Sequence, residues 1–260
     1  MREAVFIHGS LIVLALLGWF ILLAFAETVL ARAPRRPVND RRLVTNFGLT
    51  IIILFAGSLF PLAKLSASAA GQFFGIGLTH IVALPWLALL AAAVTAETFA
   101  SYWAHRLMHR APLLWRIHRV HHSDDEVDVS TSYRNHPFEL LVTVPISAAV
   151  VLILGVPATV VLGTQTLLTA TTLWQHADIA LPARLDRILG WVIVTPRLHR
   201  LHHNPERATH DSNYGELVTL WDRLFGTFNR TQGRRPVGLD DQVARPDRLL
   251  QQIWSPVYSA

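Results

Sequence analysis

Residues 140–177 read LLVTVPISAAVVLILGVPATVVLGTQTLLTATTLWQHA, without a single Asp, Glu, Lys or Arg. A spanning helix needs roughly 20 mostly apolar residues, and Gly-Val-Pro at 155–157 is a turn signal inside the run. The stretch therefore predicts a tight hairpin of two short membrane spans that leaves one face of a bilayer and returns to it. Whatever flanks the hairpin must then share that face. On one side stands HRVHH at 118–122, and on the other HRLHH at 199–203.

Working outward, charge-free runs also fill residues 5–26, 44–63 and 65–96, the last opening on a Ser/Gly-rich lead-in, SASAAGQ. Only 16% of the 260 residues are charged and 52% are hydrophobic, against about 25% charged in an ordinary soluble domain. The fold class predicted is all-α: a multi-pass membrane protein with four to five transmembrane helices and a cytoplasmic helical cap. AFA at 24–26 resembles a signal-peptide cleavage site, but the charges favour an uncleaved first span. Arg32, Arg35, Arg36, Arg41 and Arg42 crowd the first loop, whereas Lys64 is the only basic residue between the second and third runs. Basic residues favour the cytoplasmic side of short loops. That puts the N-terminus outside, and residues 105–139 and everything after 178 inside. The division is then 1–96 as N-terminal spans, 97–230 as the catalytic unit with its hairpin, and 231–260 as a cytoplasmic tail.

A net charge of +5 could suggest nucleic acid. The positive-inside bias accounts for the arginines, no recognition motif accompanies them, and such a face suits anionic lipid. The sequence has no cysteine, which removes disulfides, Cys-ligated zinc and Cys-ligated iron–sulfur clusters. Any metal is left to His, Asp or Glu.

Eight of the thirteen histidines fall in three clusters: His105 and His109 in HRLMH, His118, His121 and His122 in HRVHH, and His199, His202 and His203 in HRLHH. Helical residues three and four apart share a face, so each cluster aims its imidazoles together. HRLMH lacks the Glu of HExxH, against a zinc peptidase, and a pH-sensing patch needs no such spacing. Eight nitrogens exceed the four a structural zinc takes and predict two metals with open positions. Imidazole suits zinc, copper, iron and nickel alike. A metal transporter would place its ligands near the bilayer midplane. Here they lie past the ends of spans, among Arg106, Arg110, Arg119 and Arg200, which disfavours transport.

SYWAHRLMHRAPLLWRIHRVHHS from 101, TSYRNHPFE at 131–139, TPRLHRLHH at 195–203 and DSNYGELVTLWDRLFGTF at 211–228 together resemble the fatty acid hydroxylase/sterol desaturase superfamily of membrane His-box oxygenases. The resemblance covers roughly residues 97–228 in order. It implies a cytoplasmic diiron centre that uses O2 and two electrons to hydroxylate a C–H bond of a lipid or alkyl chain. Desaturation, or sterol or carotenoid oxidation, is the runner-up on the same centre. The eight clustered histidines become the iron ligands, and His136 and His176 match positions where the family keeps further histidines. Acids that would orient ligand imidazoles are Asp124, Asp125, Glu139, Asp178, Asp211 and Asp222; among second-sphere candidates Glu139, Asp178 and Asn213 stand first. Asn213 is expected on a metal-bound water, with Tyr214 ordering the same loop.

Glu97, near the cytoplasmic end of a span where an acid is costly, is expected to pair with Arg106 or hold a ligand histidine. Phe99, Tyr102, Trp103, Phe138 and Trp174 are candidate tunnel liners. His8 and His80 read as structural and His210 as a surface residue. The sequence carries no Rossmann-type Gly fingerprint, so a separate ferredoxin, cytochrome b5-like protein or reductase is expected to deliver electrons. The expected setting is a bacterial inner membrane.

Overall fold

The computed structural model describes residues 2–31, 39–59, 63–231, 236–239 and 247–258, without the side chains of 2–9 and 57–59. His8, Arg32, Arg35, Arg36 and much of the 231–260 tail lie outside that description. Among the described residues the chain is helical, with isolated β-bridges joining Ala31 to Ile179 and Ile193 to Val218. The long helices are α1 (Arg2–Leu30), α2 (Asp40–Leu59), α3 (Ala63–Phe74), α4 (Trp86–Arg110), α5 (Pro112–His122), α6 (Leu140–Leu154) and α7 (Ala158–His176). Shorter helices follow: α8 (Ala183–Leu189), α9 (Pro196–His202), α10 (Arg207–His210), α11 (Leu220–Leu224) and α12 (Leu249–Tyr258).

Three segments among the described residues are long and apolar enough to cross a membrane: Ser10–Leu30, Trp86–Arg110 and Pro137–Leu154. α1 presents Leu14, Leu17, Ile21 and Phe25 outward, as a lipid-facing helix should. The expected third span is displaced. Gly75 and Gly77 take positive φ and Pro85 caps the next helix, so the run divides into α3, a 3-10 turn and the first half of α4. α7 is charge-free yet falls short of span-like hydropathy, because Thr164, Gln165, Thr166, Thr169, Thr171, Thr172 and Gln175 interrupt it. Several of these hydroxyls return to the helix, as in Thr166 Oγ1 to Leu162 O at 2.7 Å and Thr172 Oγ1 to Leu168 O at 3.0 Å.

Gly155, at φ 68°, turns α6 into α7. A Cβ on Gly77 would stand 2.3 Å from the Gly155 nitrogen, so the two backbones meet with no room for a side chain. Carbonyls at the turn are satisfied by α3 and its neighbour: Ser68 Oγ donates to Val156 O at 2.7 Å, Gln72 Nε2 to Gly155 O at 2.7 Å and Thr79 Oγ1 to Gly155 O at 2.6 Å. Leu89 and Ala93 of α4 pack there against Val151, Val156, Val160 and Val161. At the opposite end Leu23 of α1 packs on Leu173, Ala177 and Ile179.

Two buried arginines fasten the chain between α5 and α6. Arg42 Nε donates to Asp124 Oδ1 at 2.6 Å and Arg42 Nη1 to Asp128 Oδ2 at 2.8 Å. Arg134 donates to Val120 O, Asn46 Oδ1 and Ser123 Oγ, each at 2.9 Å. Asp124 thus braces α2 against this loop instead of orienting a histidine. α12 closes over the loop, with Ser123 Oγ donating to Gln252 Oε1 at 2.9 Å.

Candidate metal centre

Helix geometry delivers the histidines. α4 carries His105 and His109 one turn apart at its C-terminus, and Pro112 at the start of α5 re-aims the chain. α9 begins at Pro196, capped by Thr195 Oγ1, which accepts from Leu198 N at 3.4 Å. The rings then sort into two buried groups: His105, His109, His118, His122 and His202 in one; His121, His176, His199 and His203 in the other. The pentapeptides are split with opposite parity. HRVHH sends His118 and His122 to the first group and His121 to the second. HRLHH sends His202 to the first and both His199 and His203 to the second. The expectation that each copy aims all three rings one way is corrected by turn geometry: at about 100° per residue, positions three and four along diverge by about 100°.

The outer nitrogens set the tautomers. A backbone carbonyl only accepts, so His105 Nδ1–H donates to Tyr214 O at 2.9 Å, His121 Nδ1–H to Arg134 O at 3.0 Å, His176 Nδ1–H to Thr172 O at 2.8 Å and His202 Nδ1–H to Ser212 O at 2.8 Å. Their Nε2 atoms are therefore bare lone pairs. Those of His105, His109, His118, His122 and His202 are buried with no partner. In the second group His176 Nε2 lies 3.1 Å from His121 Nε2 and 2.9 Å from His199 Nε2, and His203 Nε2 lies 3.2 Å from His199 Nε2. Nitrogens about 2.1 Å from one ion lie about 3.0–3.4 Å from each other. Converging lone pairs at that spacing fit a cation between them. Burial first, then neighbouring imidazoles, holds His122, His199 and His203 well below the ordinary histidine pKa, so these rings are neutral, as ligation requires.

Among the acids, Glu139 Oε2 faces His118 Nδ1 at 3.3 Å, and Asp211 Oδ1 lies 3.5 Å from His109 Nδ1 and accepts from Tyr214 OH at 3.3 Å. Asp178 instead pairs with Arg200 at 3.2 Å. Asp222 accepts from Tyr214 N and Gly215 N, both at 2.8 Å. Asn213, at φ 53°, spends its amide on Leu198 O and Asn229 O and accepts from Asn229 N at 2.9 Å. It ties the loop to α9 and to Asn229, and both of its amide N–H groups are spent there.

His136 stands outside both groups, for its Nδ1 accepts from Phe138 N at 3.2 Å and its Nε2 donates to Ile253 O at 3.1 Å. His80 is exposed. His210 is not a surface residue: it is buried, stacks on Trp115 and donates from Nδ1 to Asn204 O at 3.1 Å.

A cavity of about 720 Å³ reaches the rings of His105, His118, His121, His176 and His199. Its walls are Leu140, Val144, Val161, Leu162 and Leu168 together with polar side chains, and none of the five expected aromatics lines it. Phe99, Tyr102 and Trp103 turn the other way, onto Trp221 and Phe225. Glu97 is paired not with Arg106 but with Lys64, at 3.3 Å; Lys64 therefore faces the cavity, where charge counting had put it in an external loop. Glu216, which no spacing rule singles out, accepts in the same wall from Ser101 Oγ at 2.6 Å and Thr172 Oγ1 at 3.2 Å, and burial raises its pKa.

The fatty acid hydroxylase family profile matches residues 90–227. Ornithine lipid hydroxylase OlsE of Rhizobium tropici is 31% identical over 222 residues, 82% of this chain and 63% of its own. Alkylglycerol monooxygenase of Homo sapiens is 26% identical over 154 residues, 58% of this chain and 33% of its own. Lathosterol oxidase of Mus musculus is 28% identical over 148 residues, 55% and 46%. The chain thus spans less than two thirds of the length of these relatives. No solved structure matches.

Proposed function

The chain belongs to the fatty acid hydroxylase family, and on that premise we propose that it is an integral-membrane diiron oxygenase that hydroxylates a C–H bond of a lipid or alkyl chain. One observation carries the reading: nine imidazoles, eight of them buried and His105 half-buried, converge as two groups of bare nitrogens beside a cavity among apolar helices. His105, His109, His118, His122 and His202 would hold one iron, and His121, His176, His199 and His203 the other. Bound iron would supply the electron transfers that let one O2, two electrons and two protons convert R–H to R–OH and water.

The protein's own part is placement. Backbone carbonyls and Glu139 fix the ring tautomers. The buried rings exclude water from the reacting end of the cavity. The aliphatic wall accepts an acyl or alkyl chain. Electrons come from a separate ferredoxin, cytochrome b5-like protein or reductase, since this sequence has no cysteine for a cluster. Charge bias supports a cytoplasmic cap and four to five spans, with α2 and α7 added to the three most apolar segments. The likeness to the R. tropici enzyme supports a bacterial setting, in which the inner membrane is the proposed location. Desaturation, or sterol or carotenoid oxidation, is the second reading, and the likeness to lathosterol oxidase favours the sterol form of it.

The test is iron analysis after anaerobic loading, with O2-dependent change in the lipid extract of producing cells. Two irons per chain and a lipid that gains one oxygen are expected; His202→Ala should lower the iron content and abolish the oxygen gain. One zinc, or a metal content that His202→Ala leaves unchanged, would sink the reading.

A further inference from the structure

Well away from the histidines, four helices send polar side chains into one place in the cavity. Lys64 comes from α3, Glu97 from midway along α4, Ser147 from α6 and Gln165 from α7, and all four line the cavity. Lys64 Nζ donates to Glu97 Oε2 at 3.3 Å and to Gln165 Oε1 at 3.0 Å. Ser147 Oγ donates to the same Glu97 oxygen at 3.1 Å.

Charges within a membrane-spanning helix are costly and mark function, and a buried ion pair is often no more stabilising than apolar residues of the same volume. The pair is also incompletely used. An ammonium has three donors, and Lys64 directs two of them to acceptors among the described residues, which leaves one N–H there. Glu97 Oε1 has no partner among the described residues, while its Oε2 has two. Lys64 lines the cavity and retains 23% side-chain exposure. A free donor and a free acceptor therefore stand side by side in an otherwise largely apolar wall. A few placed polar groups in an apolar pocket set orientation and specificity.

We propose that Lys64, Glu97, Ser147 and Gln165 form a polar subsite that seats an uncharged hydroxyl or amide of the lipid substrate and so fixes which carbon reaches the histidines. A hydroxyl or amide both donates and accepts, matching Glu97 Oε1 and the remaining Lys64 N–H together. A charged group would upset a pair that already cancels, in a medium where uncompensated charge is expensive. Glu97 and His105 are eight residues apart on α4, about 12 Å at 1.5 Å per residue, so the seated group and the reacting carbon are separated by an extended methylene run. The ruler role rests on the oxygenase reading; the binding role does not.

The experiment measures saturable binding of labelled 1-hexadecanol, hexadecanamide, hexadecanoate and hexadecane to the purified protein as isolated, in detergent and without added reductant. Charged-group hydrogen bonds predict that the alcohol and the amide bind about tenfold or more tighter than the alkane, and tighter than the carboxylate. The paired variant Lys64→Met with Glu97→Gln, which removes both charges together, should reduce that preference to under about threefold. Gln165→Leu, which leaves the ion pair in place and guards against misfolding of the double variant, should reduce it in part. Equal binding of alcohol and alkane by the native protein, tighter binding of the carboxylate, or an unchanged preference in both variants would overturn the subsite. If the preference holds but loading yields no iron, the oxygenase reading fails and the subsite stands; a diiron protein without the preference gives the reverse.

Discussion

His176 Nε2 stands 3.1 Å from His121 Nε2, although each ring already donates its Nδ1 proton to a backbone carbonyl. Two lone pairs at that distance repel unless a cation lies between them. His176→Ala should therefore empty the second group while sparing the first, and metal content should fall from two equivalents to about one. His136→Ala, whose ring nitrogens serve only backbone, should keep both. Equal loss in the two variants would contradict the assignment, and inductively coupled plasma analysis reads the difference.

Glu139 faces His118 Nδ1 at 3.3 Å and accepts from His136 N at 3.2 Å. Glu139→Gln keeps the shape but removes the charge that orients the ring. Second-sphere changes of this kind cost about 10–100-fold in metal affinity. Competition with a chelator should show that loss at one of the two equivalents and little change at the other.

Asp124 is fully buried against Arg42 at 2.6 Å. Asp124→Asn removes the more deeply buried of the two carboxylates on Arg42, and breaking a buried pair this way costs about 3–5 kcal/mol. Denaturant unfolding of the purified protein should register the loss. A change below about 1 kcal/mol would show instead that Asp128, 2.8 Å from Arg42 Nη1, carries the contact.

Glu216 gives a pH dependence of definite sign. Burial raises its pKa above the ordinary 4.5, so the folded protein binds its proton more tightly than the unfolded chain does. Native stability must then fall as pH climbs above about 4.5, through the window between the unfolded and folded values. Glu216→Gln cannot ionise and should flatten that fall. Melting temperatures of the two proteins across the range should diverge in favour of the variant as pH rises, and parallel curves would count against it.

Much of this arrangement is legible in residue spacing because helices are periodic. The i, i+3, i+4 histidines announce both the helices and the metal chemistry, and Gly155 in its charge-free run marks the turn that brings His199 back to His121. What spacing cannot show is which long-range partner a polar group finds. Asp178 adjoins His176 in sequence but turns to Arg200; His210 looks like a surface residue and is sheltered by Trp115. Lys64, counted as an external charge, takes its meaning from Glu97, thirty-three positions away. Likewise the aromatics of α4 could have faced either side, and their packing on Trp221 and Phe225 is decided by a segment more than a hundred residues downstream.

The opposite parity of the two pentapeptides has a consequence for assembly. Because α5 and α9 each lend rings to both groups, an ion held in either group would tie the two helices together. A displacement of either helix alone would therefore misplace rings in both groups at once.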